Sequence, residues 1–186
     1  MSASTAYTLA LTLEARRASV IASATAVAEA MQEDARPGDL RVVSVHWGGN
    51  WGYDVPADHR RFARRLVEAG VHVVHGHSSH HPRPVEMYRG GLVLYGCGDL
   101  VNDYEGIAPH GSLRSDAGCL YAATLDRASG ALQRLQVVPL QLRRFRLQRA
   151  DAPARRWLER VFNEEGPGRG TRVVATGDGD WELRWN

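Results

Sequence analysis

The sequence predicts an α/β protein in which helices pack on a mixed β-sheet. A short β-branched run over residues 40–46 predicts a strand, and an apolar run over 71–75 predicts another. Between them, apolar residues recur at helical spacing over 57–69, which predicts a helix that ends at Gly70. Strand, helix and strand in this order favour two parallel neighbours in one sheet.

The chain before the first of these strands predicts a helix. Residues 7–13 alternate in polarity, and the alanine-rich segment 14–35 has apolar side chains at helical spacing. We expect Pro37 and Gly38 to end that helix.

Turn signals later in the chain predict three hairpins, so the sheet should have an antiparallel portion. The turns fall at 89–91, 127–130 and 177–180, and a helix is expected over 154–163. The predicted strands are 85–88 with 92–95, 119–126 with 131–142, and the two halves of 172–185.

The length allows one main domain with a small appendage. The chain has 186 residues, of which 44% are hydrophobic, enough to bury a core. We predict that residues 1–148 form the main domain and that 149–186 add a helix and a β-hairpin.

The composition predicts little electrostatic attraction to nucleic acid or to a membrane surface, because 23 basic and 21 acidic residues leave a net charge of +2. No nucleic-acid partner is therefore expected. One basic cluster occurs late in the chain and is either a solvated strand face or an anion-binding patch; its members are Arg143, Arg144, Arg146 and Arg149.

The remaining features favour a cytoplasmic protein without a membrane segment. Cys97 and Cys119 are too few for a disulfide framework, so reduced thiols are expected. No run approaches 18 apolar residues, and the first 13 residues lack the pattern of a secretory signal.

Histidines concentrate where the second predicted strand ends. Four of the eight histidines fall within residues 75–81, between apolar strand residues and Pro82, and His46 closes the preceding predicted strand. If the two strands are parallel neighbours, both groups emerge at the same sheet edge, where open α/β folds place their ligands. Neutral imidazole is a common ligand of zinc, manganese and iron, so the sequence predicts a metal site there.

The histidines differ in expected role. His46, His77 and His80 are predicted as metal ligands. His81 is predicted as the catalytic group, with a substrate contact or support of a ligand as alternatives. His75 ends the predicted strand and could instead be a core histidine hydrogen-bonded to backbone, and His72 is expected to be structural or solvated.

Two loops could contribute to substrate binding. The loop 47–56 combines three glycines with aromatic residues, and we assign Asn50, Trp51 and Tyr53 to substrate contacts. The polar segment 99–117 lacks periodicity, and loops of that length are usually functional or mobile. Asp99 and Asn102 are assigned to substrate binding as well, with metal ligation or turn capping left open.

Side-chain nucleophiles are not favoured, since the sequence has no Gly-x-Ser-x-Gly elbow and no Walker-type phosphate loop. A bound ion that activates water is the mechanism the histidines could support.

Four motifs in this order resemble the CapA family of bacterial capsule and poly-gamma-glutamate synthesis, which is related to calcineurin-like metallophosphoesterases. They are Ser44-Val45-His46-Trp47-Gly48, Gly76-His77-Ser78-Ser79-His80-His81-Pro82, Val85-Glu86-Met87-Tyr88, and Leu92-Val93-Leu94-Tyr95-Gly96-Cys97-Gly98-Asp99. The resemblance implies metal ligation by His46, His77 and His80, and divalent manganese, zinc or iron as cofactor, with two ions in the intact family site.

The resemblance covers the second half of the family's four-layer αββα sandwich, because nothing before residue 40 matches the upstream Gly-Asp and Asn-His motifs. It implies residues 1–148 as a CapA-like C-terminal half. One hypothesis is a metal-dependent hydrolase acting on a phosphoester or amide in a small molecule or polymer. The alternative is a non-catalytic, truncated CapA-like fragment that works through association, either with itself or with a missing N-terminal half.

Overall fold

Two five-stranded β-sheets and three α-helices make up the described part of the chain, which covers residues 6–12, 17–33, 35–101 and 111–186 of a computed structural model. The helices are α1 (Arg17–Glu33), α2 (Ala57–Glu68) and α3 (Ala152–Glu165). The first sheet contains β1 (Ala6–Thr12), β2 (Leu40–His46), β3 (Val73–His77), β4 (Val85–Tyr88) and β5 (Gly91–Leu94). The second contains β6 (Ala117–Leu125), β7 (Leu132–Arg143), β8 (Arg146–Arg149), β9 (Thr171–Ala175) and β10 (Trp181–Trp185). This architecture confirms the predicted α/β class with mixed sheets and helices.

The first sheet brings the ends of its parallel strands to one edge. Its strand order is β1-β2-β3-β5-β4, in which only β4 runs antiparallel to its neighbour. β2 and β3 pair in parallel, and the register places His46 directly opposite His77. The predicted parallel arrangement of these two strands is confirmed.

Two apolar cores hold the sheets and helices together. One core packs α1 and α2 on a face of the first sheet, through buried side chains that include Phe62, Leu66, Val43 and Val74. The other joins the first sheet to the second sheet and α3, where Leu94, Val137, Leu158 and Trp181 are among the buried residues.

The predicted end of the second strand is wrong by two residues. We expected the strand to cover 71–75 and the loop to begin at Gly76, whereas β3 runs from Val73 to His77. The strand continues because Gly76 and His77 still pair with β2. His77 is therefore held by a strand rather than by a loop.

The C-terminal segment is continuous with the second sheet. Trp181 of β10 pairs with Val137 of β7, and β9 and β10 form the expected hairpin. α3 begins at Ala152 and is capped by Asp151, whose side chain accepts a hydrogen bond from the backbone N–H of Ala154. Residues 149–186, predicted as an extension, thus add a helix and two strands to the shared core.

The three predicted hairpins are present, and a fourth was missed. β4 and β5 turn at Arg89 and Gly90, while β6 and β7 turn over residues 126–131. The unpredicted hairpin joins β7 to β8 through Arg144 and Phe145, which carry none of the usual turn signals.

Candidate functional site

His46 and His77 form the centre of the candidate site. They are register partners on β2 and β3, and their ring centroids lie 5.1 Å apart with the rings nearly perpendicular. The backbone N–H of Trp47 donates to the carbonyl of His77 at 3.1 Å, which extends the strand pairing by one residue. Partial burial, with a smaller effect of the neighbouring His46, lowers the pKa of His77 and favours a neutral ring that can act as a ligand.

Gly76 fixes the position of this pair because the Trp47 ring packs directly on it. A Cβ at residue 76 would lie 2.3 Å from Nε1 of Trp47 and 2.8 Å from the carbonyl oxygen of Leu94. The same Nε1–H donates to the carbonyl of Tyr95 at 3.0 Å. The indole therefore spans β3 and reaches the end of β5, and only glycine leaves room for it.

His80 is oriented by Asp99. The distance from His80 Nδ1 to Asp99 Oδ2 is 3.0 Å, and since a carboxylate only accepts, Nδ1–H is the donor. Nε2 is then the nitrogen with a lone pair. Carboxylates commonly hold metal-ligating histidines in this way, so the pairing suits the predicted ligand role of His80.

Three hydrogen bonds join the glycine-rich loop after β2 to the histidine loop after β3. Ser78 Oγ donates to the carbonyl of Gly48 at 3.1 Å, and the N–H of His80 donates to the carbonyl of Asn50 at 3.1 Å. Arg83 Nη2 donates to the carbonyl of Gly49 at 2.6 Å. The two loops therefore form one layer over the edge of the sheet.

Arg83 is a buried member of this edge that the sequence does not predict. Its side chain is 3% exposed, and its methylene groups cross Gly96, where a Cβ would lie 3.0 Å from Cγ. Its Nε is buried without a hydrogen-bond partner among the described residues. The only available sequence signal is an arginine within the otherwise apolar segment that follows His81.

His81, predicted as catalytic, is completely buried with both ring nitrogens bonded to backbone. Nδ1–H donates to the carbonyl of Pro82 at 2.9 Å, and Nε2 accepts from the N–H of Gly52 at 3.1 Å. Burial lowers the pKa of His81 to about 4. This arrangement gives the ring a structural part in joining the two loops, and its catalytic role stays a prediction.

The remaining histidines within the described ranges, at positions 59, 72 and 75, make hydrogen bonds or ring contacts inside the fold. The Nδ1 atom of His75 lies 3.0 Å from Ser44 Oγ, so its partner is a side chain rather than the expected backbone. His72 Nδ1 accepts a hydrogen bond from the N–H of Arg41 at 2.9 Å. His59 stacks on Trp47 with the two rings nearly parallel.

The predicted substrate contacts other than Asp99, which bonds to His80, divide into three groups. Trp51 lies beside His80, with ring centroids 5.4 Å apart, and Asn50 contributes its carbonyl to the same loop. Tyr53 packs edge-on against His81 and also faces α3; burial, with a smaller effect of Glu165, raises its pKa to about 12. Asn102 lies outside the described residues.

The donor types at this edge fit a divalent transition metal, since His46 and His77 are adjacent imidazoles and His80 is held by a carboxylate. Within residues 6–12, 17–33, 35–101 and 111–186, no group of three or more His, Cys, Asp or Glu side chains is arranged to hold an ion. Metal binding by these residues therefore stays a prediction. In the same described ranges, no helix has the length and apolar character needed to cross a bilayer.

Comparison with known proteins gives consistent matches. Residues 3–104 match the family described as bacterial capsule synthesis protein PGA_cap. The chain is 50% identical over 157 residues to the "Probable polyglutamine synthesis accessory protein" of Mycobacterium tuberculosis, a match covering 84% of this chain and 41% of the relative.

Two shorter matches are to proteins of Bacillus. The "PGA biosynthesis protein CapA" of Bacillus subtilis is 33% identical over 73 residues, covering 39% of this chain and 19% of that protein. The "Capsule biosynthesis protein CapA" of Bacillus anthracis is 31% identical over 65 residues, covering 35% and 16%. The chain thus spans less than half the length of the curated relatives it matches.

Proposed function

The chain belongs to the bacterial capsule synthesis protein PGA_cap family, and on that premise we propose that it serves the synthesis of a capsule or poly-gamma-glutamate polymer through a divalent-metal site at the edge of its first sheet. The register pairing of His46 with His77 carries this proposal. The names of the relatives refer to polyglutamine, PGA and capsule synthesis, and they support a role in polymer synthesis.

We assign the ion to His46, His77 and His80. When bound, a divalent ion would supply Lewis-acid activation of water and of the oxygen under attack, which suits hydrolysis of a phosphoester or an amide. Asp99 accepts from Nδ1–H of His80 and so keeps the lone pair on Nε2. Asp99 is thus a positioning residue in this proposal.

The loop over the sheet edge would shape the substrate side of the site. Trp51 offers a rigid apolar wall beside His80, and His81 ties the loop down through the N–H of Gly52. Arg83 holds the same loop from beneath through the carbonyl of Gly49. The loop is therefore fixed before a substrate arrives, which lowers the cost of binding in an oriented pose.

The direct test is hydrolysis of phosphodiester, phosphomonoester and amide substrates with manganese, zinc or iron present, by the wild-type chain and by His77→Ala. We expect metal-dependent turnover that His77→Ala abolishes. His72→Asn is the matched control, because asparagine can still accept from the N–H of Arg41 and residue 72 precedes β3 at the opposite end of the strand. Folded wild-type protein without turnover of any substrate would contradict the hydrolase and favour the non-catalytic alternative.

A further inference from the structure

The β7–β8 hairpin concentrates positive charge at one end of the second sheet. Four arginines fall between residues 143 and 149, and this segment contains no acidic residue. All residues of β8 are exposed. Arg149, at the base of the hairpin, pairs with Asp180, which leaves the excess of charge near the tip.

The tip holds an aromatic ring in solvent on an unusual backbone. Arg144 and Phe145 have φ of 51° and 56°, the sign that both central residues of a type I′ turn require. Glycine and asparagine are the usual residues there, and bulky side chains seldom adopt this conformation. Phe145 is nevertheless 61% exposed, so the ring occupies this position without contributing to a core.

The hairpin lies at the same end of the molecule as the candidate site. The backbone of Asp99 runs against the start of β6, where a Cβ on Gly118 would lie 2.5 Å from the carbonyl oxygen of Asp99. Ala117 pairs with Gln141, and the N–H of Leu142 donates to the carbonyl of Asp116 at 2.8 Å. A series of backbone contacts, from Asp99 to the start of β6 and from there to the end of β7, therefore connects Asp99 to Arg143 at the hairpin.

We propose that the hairpin tip, defined as Arg143, Arg144, Phe145 and Arg146, binds a polycarboxylate chain such as poly-glutamate where that chain extends beyond the candidate site. This proposal rests on the proposed function for its choice of polymer. Guanidinium groups match carboxylates in shape and charge, and several arginines on a two-stranded ribbon can engage successive carboxylates of one polymer. The Phe145 ring would contact the methylene groups between them.

A polymer fits the tip better than a lipid surface does. Interfacial anchors need a sizeable apolar face, and the exposed large apolar side chains of this hairpin are Phe145 and Leu147. Three arginines at the tip against two such side chains favour a partner that is mainly charged.

The test measures binding of fluorescently labelled poly-glutamate to the wild-type chain and to the triple variant Arg143→Gln, Arg144→Gln, Arg146→Gln. Loss of three exposed charges should weaken binding about tenfold in total, because solvent-exposed charge contacts are individually weak. The matched control carries Arg61→Gln, Arg65→Gln and Arg127→Gln, which change the net charge equally, on α2 and at the opposite end of β6 and β7. The control should bind within about twofold of wild type, and equal weakening of both triple variants would overturn the proposal.

A second variant separates binding from folding. Phe145→Gly removes the ring and places glycine where φ is positive, so the fold should be at least as stable while polymer binding weakens. Unchanged binding by Phe145→Gly would contradict a role for the ring. Stronger binding of anionic vesicles or of single-stranded DNA than of poly-glutamate would replace the polymer with another partner.

Failure of this proposal is distinguishable from failure of the proposed function. The hairpin variants should keep the metal content and the small-substrate turnover of the wild type. Conversely, His77→Ala should lose metal while it keeps polymer binding. Polymer binding that disappears with His77→Ala and persists in the hairpin variants would place the polymer at the sheet edge alone.

Discussion

His46 and His77 lie opposite each other on neighbouring parallel strands, with their ring centroids 5.1 Å apart. This separation follows from the spacing of about 4.8 Å between paired strands, which sets side chains at one register position side by side. The relationship connects residues 31 positions apart in sequence without any loop to position them. Strand pairing therefore builds the centre of the candidate site.

Substitution of Gly76 should disturb this centre through Trp47. Gly76→Ala would place a Cβ against the indole and against the carbonyl of Leu94, so we expect a loss of about 1–3 kcal/mol in the free energy of unfolding. Urea denaturation measures this loss. Gly49→Ala is the control, because a Cβ there meets nothing within 4 Å, and a similar loss in both variants would argue against the packing account.

Removal of the carboxylate beside His80 should weaken metal binding with little effect on folding. Asp99→Ala leaves Nδ1–H without this acceptor, and loss of such a partner typically costs 10- to 100-fold in metal affinity. Asp99→Asn keeps an acceptor oxygen and should have an affinity between those of wild type and Asp99→Ala. Titration with zinc or manganese measures the three affinities; identical values would show that Asp99 does not act through His80.

The free energy of unfolding should decrease as the pH is lowered, over a window set partly by the pKa of His81. Burial lowers the pKa of His81 from 6.5 to about 4, so the unfolded chain takes up a proton near pH 6.5 while the folded protein keeps the ring neutral. The stability that depends on a neutral His81 is therefore fully present above pH 6.5. It is lost as the pH falls toward 4, because protonation of the ring favours the unfolded chain.

The His81→Asn variant isolates this contribution from those of the other histidines. Its free energy of unfolding should change less than that of wild type between pH 6.5 and 4, as measured by urea denaturation at a series of pH values. Parallel pH curves for the two proteins would contradict the neutral, buried state of His81.

Much of the fold follows from local sequence patterns. β-branched runs and helical spacing predicted β2 and α2, and turn residues predicted the hairpin at Gly90. The parallel pairing of β2 with β3 followed from the helix that connects them. That pairing in turn predicted that His46 would lie near His77.

Contacts between loops could not be predicted in the same way. The bond between His80 and Asp99 joins residues 19 positions apart, and no periodicity signals it. The burial of Arg83 beneath Gly48 and Gly49 depends on how two loops fold over one edge. The β7–β8 hairpin was missed because Arg144 and Phe145 occupy a turn that glycine normally favours.

Metal content is the measurement that tests the central claim most directly. The purified chain and its His46→Ala/His77→Ala variant are incubated with manganese, zinc or iron, freed of unbound ion, and measured by mass spectrometry, with His72→Asn as control. We predict at least one ion per chain in the wild type and in the control, and loss of that ion in the double variant. Equal metal content in the wild type and a folded double variant would contradict the account.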